Sequence, residues 1–187
     1  MPILPQQPDI FPQNLFERDN LGAEVDNHWW VIYTRSHREK DLMRRLHAMN
    51  IPFYSPVIAK MYSSPSGRSR TSFLPVFPNY VFLYGDDEQR FQAMTTNCVA
   101  STIFVTEGLR LSEDLRRIHR LIDQNVPMTL EPKLFAGTRV RIRSGPLIGM
   151  EGTIIERRGH ERLLIYVNFI QQGASVSLQD YDVERLC

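Results

Sequence analysis

Only two of the 187 residues are cysteines, Cys98 and Cys187. Two thiols build neither a disulfide framework nor a metal site by themselves, so the fold must rest on an ordinary apolar core. Cys98 falls in a run that reads as a core strand. Long apolar runs are missing too: nothing approaches the ~20 residues that cross a bilayer. The opening MPILPQQPDIFPQ lacks the basic start and apolar segment of a secretory signal. A cytoplasmic address is expected. No P-loop, nucleophile elbow or H-E-x-x-H stretch occurs. His37-Arg38-Glu39 has the H-x-E of zinc deaminases but no P-C-x-x-C to complete the ligand set. His28, His47, His119 and His160 show no ligand spacing. Gly145, Gly149 and Gly152 lie between two strand patterns, with no helix N-terminus to receive a phosphate. The reading is therefore a non-enzyme with no cofactor and no metal.

What is present, 42% hydrophobic and 23% charged residues, suits one medium domain or two small ones. The net charge of +1 hides a segregation. Residues 1–27 carry one arginine against five acids, residues 28–123 thirteen Lys/Arg against nine acids, and residues 135–187 seven against six. A basic segment behind an acidic one favours a polyanionic neighbour such as nucleic acid.

Four prolines and no sustained period make residues 1–27 read as a mobile acidic extension, although Ile10, Phe11, Leu15 and Phe16 form an apolar patch able to dock. WWVIYT from Trp29 is a buried strand by composition. Ser36 to Glu39 spells a capping box for a helix burying Leu42, Met43, Leu46 and Met49, ended by Asn50 and Pro52. Two strand runs flank SSPSGRSRTS, a hairpin tip basic at Arg68 and Arg70. DDEQRFQAM predicts a short helix turning Phe91 and Met94 inward, CVASTIFV a strand, and LSEDLRRIHRLID a helix capped by Ser112 that buries Leu115, Ile118 and Ile122. The expected fold of residues 28–123 is α+β, an antiparallel sheet with packed helices. QNVPMTLEPK marks a linker, residues 124–134. Beyond it, residues 135–187 switch to period 2: RVRIR puts Val140 and Ile142 inside and arginines outside, SGPLIGMEG is turn chemistry, and about five short strands suggest a small SH3-like or OB barrel.

Two constellations stand out as sites. VFPNYVFLYG, read as a strand over residues 76–85, is apolar on both faces: Val81 and Leu83 point one way, Tyr80, Phe82 and Tyr84 the other. Each large ring gains roughly 1.5–3 kcal/mol from burial, so something must cover the aromatic face, either this chain or a partner that uses the rings as anchors. The second is basic. Arg35, His37 and Arg38 crowd the start of the first helix, where the helix dipole adds positive potential, and Arg44 and Arg45 follow on its outer face.

WWVIYT with its following helix, then FPNYVF behind a basic hairpin, resembles the N-terminal (NGN) domain of the NusG/RfaH family of transcription elongation factors. VRIRSGPLIGMEGTI resembles that family's KOW motif. The resemblance spans residues 29–186 and implies a non-enzymatic, monomeric factor that rides on RNA polymerase. By position, Phe77, Tyr80 and Phe82 would line the pocket for the polymerase clamp helices. Arg35 and Arg45, with His37 and Arg38 beside them, match positions facing the non-template DNA strand. Where the specialised paralog RfaH carries a His-Thr-Thr stretch for a second polymerase contact, this chain reads Gln92-Ala93-Met94-Thr95-Thr96, leaving Thr95 and Thr96 for that role. The KOW domain would recruit termination factor Rho or a small-subunit ribosomal protein. General members read F-P-G-Y, so Phe77-Pro78-Asn79-Tyr80 favours a specialised antiterminator over the housekeeping factor. A free RNA-binding or ribosome-associated KOW module is the alternative.

Overall fold

The computed structural model describes residues 8–19, 21–63, 69–131, 137–157, 159–178 and 181–186. The chain divides into two compact units, Met1–Arg110 and Leu111–Cys187. In chain order the elements are β1 (Ile10–Phe11), β2 (His28–Thr34), α1 (Glu39–Ala48), β3 (Phe53–Tyr54), β4 (Val57–Ser63), β5 (Ser69–Pro75), β6 (Tyr80–Gly85), α2 (Asp87–Met94) and β7 (Val99–Phe104). They continue with α3 (Gly108–Asp123), β8 (Met128–Glu131), β9 (Thr138–Ile142), β10 (Glu151–Arg157), β11 (His160–Val167), β12 (Gln172–Ser177) and β13 (Val183–Arg185).

The first unit is built on an antiparallel sheet ordered β1-β3-β6-β2-β7, and strand alternation sorts its residues onto two faces. Trp30, Ile32, Phe53, Val81 and Leu83 share one face and form a single core with Leu42, Met43 and Leu46 of α1 and Ala93 of α2. The helical stripe of α1 is as its spacing predicts. Its start is not: Arg38 occupies the cap position with no side-chain cap bond, and Glu39 accepts from the Asn79 N–H. The capping box forms instead at α2, where Asp86 accepts from the Gln89 N–H (2.8 Å) and Gln89 accepts from the Asp86 N–H (3.2 Å).

That cap sets the rotation of α2 and overturns a second expectation. Phe91 and Met94 are 63% and 44% exposed, while Ala93 and the Arg90 guanidinium, stacked 4.8 Å over the Trp30 ring, face the protein. Cys98 is buried just before β7 rather than within it, and β7 is a half-covered edge strand.

The segment expected to be a mobile extension is anchored at three described positions, Ile10, Leu15 and Leu21. Ile10 and Phe11 pair with Tyr54 and Phe53 as an extra edge strand, and Leu15 and Leu21 are fully buried. Its apolar residues outweigh its acids, because each buried leucine contributes roughly 1.5–3 kcal/mol. β4 and β5 pair over seven residues each as a separate two-stranded ribbon, as the flanking patterns predict. Arg68, expected in the hairpin tip, lies outside the described residues.

In the second unit, six antiparallel strands run in the order β13-β9-β10-β11-β12-β8. Val140 and Ile142 point inward, as RVRIR predicts. The turn between β9 and β10 needs left-handed backbone at Gly145 and Gly149, both at φ +81. No ladder among the described residues joins β13 to β8, so the sheet has two ends instead of the closed barrel expected. The outer end is supplied by Met128–Glu131, which the linker reading left without structure. Polar pairing explains it. Buried Glu131 accepts from the Ser175 hydroxyl (2.8 Å), which in turn accepts from Arg162 Nε (2.8 Å). The C-terminal part of α3 belongs to this unit: the buried Asp114 carboxylate accepts from the Asn168 N–H (3.0 Å), and Arg120 donates to the Pro146 and Ile148 carbonyls. The buried stripe of α3 is Leu111, Leu115, Ile118 and Leu121, with Ile122 half-exposed, and Ser112 lies inside the helix rather than at its cap.

Candidate functional site

The face of the first sheet opposite α1 and α2 carries the aromatic residues. Register places Trp29 beside Tyr84, Val31 beside Phe82 and Tyr33 beside Tyr80, with Tyr54 of β3 paired to Phe82 and Ile103 of β7 paired to Val31. At one end this face is closed by the chain's own N-terminal segment. The Phe16 ring meets Tyr54 edge-on at 4.9 Å, and the Gly22 N–H donates to the Tyr84 hydroxyl at 3.3 Å. Burial raises the Tyr84 phenol pKa.

The three residues expected to line the pocket differ in burial. Phe82 is 0% and Phe77 1% exposed, so neither ring is available at the surface. Both lie in the core, in edge contact at 6.1 Å. Tyr80 is half-buried. It pairs edge-to-face at 5.3 Å with Tyr33, which is 39% exposed, and Ile103 is 45% exposed on the same face. The open end of the aromatic face is therefore Tyr33, Tyr80 and Ile103. Period 2 in WWVIYT already set Tyr33 opposite Trp30 and Ile32, but only the β2–β6 register shows that it stands next to Tyr80.

β6 begins at Tyr80, and residues 77–80 form a tight turn rather than strand. The Tyr80 N–H donates to the Phe77 carbonyl (3.1 Å), with Pro78 at the second position and Asn79 at φ +67 in the third. Proline followed by a residue that tolerates positive φ is the type II pattern, and asparagine accepts that conformation better than most residues. Two bonds fasten Asn79. Its carbonyl accepts from the Thr34 N–H at the end of β2 (2.8 Å), and its N–H donates to Glu39 Oε1 (2.8 Å). Glu39, 7% exposed, ties the first residue of α1 to this turn.

Arg35, His37, Arg38, Arg44 and Arg45 are all exposed around the start and outer face of α1. The Arg35 N–H donates to the Cys98 carbonyl (2.8 Å), and His37 sits at φ +59 in the loop. Sequence reading passed over the acid among them. Asp41 lies 3.3 Å from Arg38, 3.0 Å from Arg44 and 3.6 Å from Arg45. The Cys98 thiol also donates to it at 3.4 Å. That hydrogen bond, followed by Arg45, Arg44 and Arg38, holds the Asp41 carboxyl below the usual carboxylate range against the opposing effect of partial burial. Burial, then Asp41, raises the Cys98 thiol.

Thr95 and Thr96 end α2, and both hydroxyls serve the backbone. Thr95 Oγ1 donates to the Gln92 carbonyl (2.7 Å) and Thr96 Oγ1 to that of Ala93 (2.6 Å). Thr96 is buried, and its hydroxyl also accepts from the Cys98 N–H (3.3 Å). Only Thr95 is exposed, next to Met94. Among the described residues no group of three or more His, Cys, Asp or Glu side chains is placed to hold a metal ion, and no helix is long and apolar enough to cross a membrane.

No curated protein matches the chain. A family model does: the one described as NusG, transcription termination factor nusG, matches residues 27–136. The match takes in the aromatic face, the Phe77–Tyr80 turn and the basic start of α1. With more than half of its length so matched, the chain belongs to the NusG family of non-enzymatic transcription factors that interact with RNA polymerase.

Proposed function

We propose that this chain is an elongation and antitermination factor of the specialised, RfaH-like kind. Its first unit binds the clamp helices of the largest RNA polymerase subunit, and its C-terminal KOW domain, residues 135–187, recruits Rho or a small-subunit ribosomal protein. The observation that carries this reading is the link between the two patches. The Tyr33–Tyr80 pair adjoins Asn79, whose N–H donates to Glu39, the first residue of the arginine-bearing helix. An apolar anchor suits helices packed across it, and the arginines suit a phosphate backbone running past. Tyr80, with Tyr33, makes the polymerase contact, and Phe77 and Phe82 form its floor. Arg35, His37, Arg38 and Arg45 take the non-template DNA strand. Thr95, beside exposed Met94 and Phe91, makes the second polymerase contact, with Thr96 supporting it from beneath.

The reading as a free RNA-binding KOW module is weaker on charge. Of the arginines on and just after β9, Arg139 and Arg141 pair with Glu151 and Arg143 lies 3.9 Å from Glu184. Transcription in vitro with purified polymerase separates the readings. The expected result is shorter pauses and more read-through on paused and Rho-dependent templates. Stimulated Rho termination identifies the housekeeping role instead, and no effect on either template removes the polymerase reading.

Asp41 gives a further expected outcome. Asp41→Asn removes a carboxylate that lies within 4.0 Å of three of these arginines. Binding of a fluorescent single-stranded oligonucleotide, followed by anisotropy, should tighten about fivefold at low salt. The gain should vanish as salt screens the exposed charges. Acidification acts the same way. Because the folded pKa of Asp41 is depressed, its ion pairs contribute in full above about pH 4 and are lost as pH falls through the lowered value.

A further inference from the structure

The geometry points to Glu39 as a positioning residue that holds the aromatic and basic patches in one register, so that polymerase and DNA contacts are gained or lost together. This rests on the proposed function. Glu39 touches neither partner, since it is nearly buried and its Oε1 accepts from the Asn79 N–H at 2.8 Å. On one side of that bond is the turn that aims Tyr80, closed by the Tyr80 N–H to Phe77 carbonyl bond. On the other is the first turn of α1, preceded by the loop that carries Arg35, His37 and Arg38.

The two segments are 40 residues apart in sequence. Among the described residues, main-chain bonds at this corner join Thr34 to Asn79 and Arg35 to Cys98, and the Arg38 N–H closes the loop on the Arg35 carbonyl (3.0 Å), but none joins α1 itself to the Asn79 turn. The loop contains a left-handed residue, His37 at φ +59, and no cap bond from a side chain fixes the helix start. Glu39 supplies the direct link between helix and turn from inside. A charged acceptor on a backbone N–H is among the stronger hydrogen bonds, and its near burial shields it from competing water.

Three versions of the full chain test this: wild type, Glu39→Ala and Glu39→Gln, the last keeping a carbonyl oxygen for the same bond. Affinity is measured for core RNA polymerase and for a fluorescent single-stranded DNA oligonucleotide, well below the melting temperature of each protein. Glu39→Ala should weaken both affinities about tenfold, and Glu39→Gln should restore both to within about threefold. Loss of stability with both affinities intact shows a merely structural carboxylate and overturns the proposal, as does loss of only one affinity. Amide resonances decide independently of partners. In Glu39→Ala the signals of His37, Arg38, Asn79 and Tyr80 should all shift, whereas changes confined to residues 38–40 overturn the coupling. A wild-type chain that fails to bind polymerase sinks the functional reading, and the amide shifts then decide whether Glu39 fixes the turn.

Discussion

Replacing Tyr33 and Tyr80 together by alanine should cost the protein its hold on RNA polymerase while leaving its fold unchanged. The two rings sit edge-to-face at 5.3 Å on the open end of the aromatic face, with Tyr33 39% exposed. Truncating an aromatic anchor at the centre of an interface commonly costs about 2 kcal/mol or more, a loss of at least thirtyfold in affinity. Partly exposed rings contribute little to the core, so circular dichroism and the denaturant midpoint should stay near wild type. The measurement is a polymerase pull-down or titration with the folded double variant. Unimpaired binding would remove this face from the mechanism.

Phe82→Ala should behave in the opposite way, losing stability first. Phe82 is fully buried, paired across the sheet to Val31 and Tyr54, and its ring meets Phe77. Removing such a ring leaves a cavity and costs about 3–5 kcal/mol, a large share of the 5–15 kcal/mol that holds a typical domain together. Denaturant unfolding of the full chain reads this directly as a lowered midpoint. Reduced polymerase binding by this variant would then reflect unfolded protein. A Phe82→Ala chain with wild-type stability and abolished binding would instead restore Phe82 as a surface anchor.

Much of this was legible from residue order. Composition in WWVIYT and alternation in YVFLYG marked two strands, which the structure pairs, and the helical stripe of Leu42, Met43 and Leu46 marked a helix that covers one face. RVRIR gave its inward and outward residues correctly. The failures share a cause. Ser36 and Glu39 satisfy the local rule for a capping box, yet Glu39 lies next to a backbone N–H from residue 79 and bonds there instead. Phe91 and Met94 look like the inner face of a helix until the Asp86–Gln89 box and the stacking of Arg90 on Trp30 fix its rotation. The N-terminal segment reads as solvated because its charge and prolines are visible in the sequence, whereas the groove that takes Leu15 and Leu21 is not.

By itself, then, the chain order determined which residues alternate, which segments are helical, where positive charge collects and to which family the pattern belongs, since all of these depend on spacing between near neighbours. Tertiary structure alone decided which rings are exposed and which are core, that the Thr96 hydroxyl is occupied by backbone, and that Asp41 meets three arginines while Glu39 meets the Asn79 N–H. Several of those outcomes turn on contacts between residues tens of positions apart, such as Glu39 with Asn79 and Asp41 with Cys98, and free energy of burial and hydrogen bonding is assigned by what each side chain meets in space.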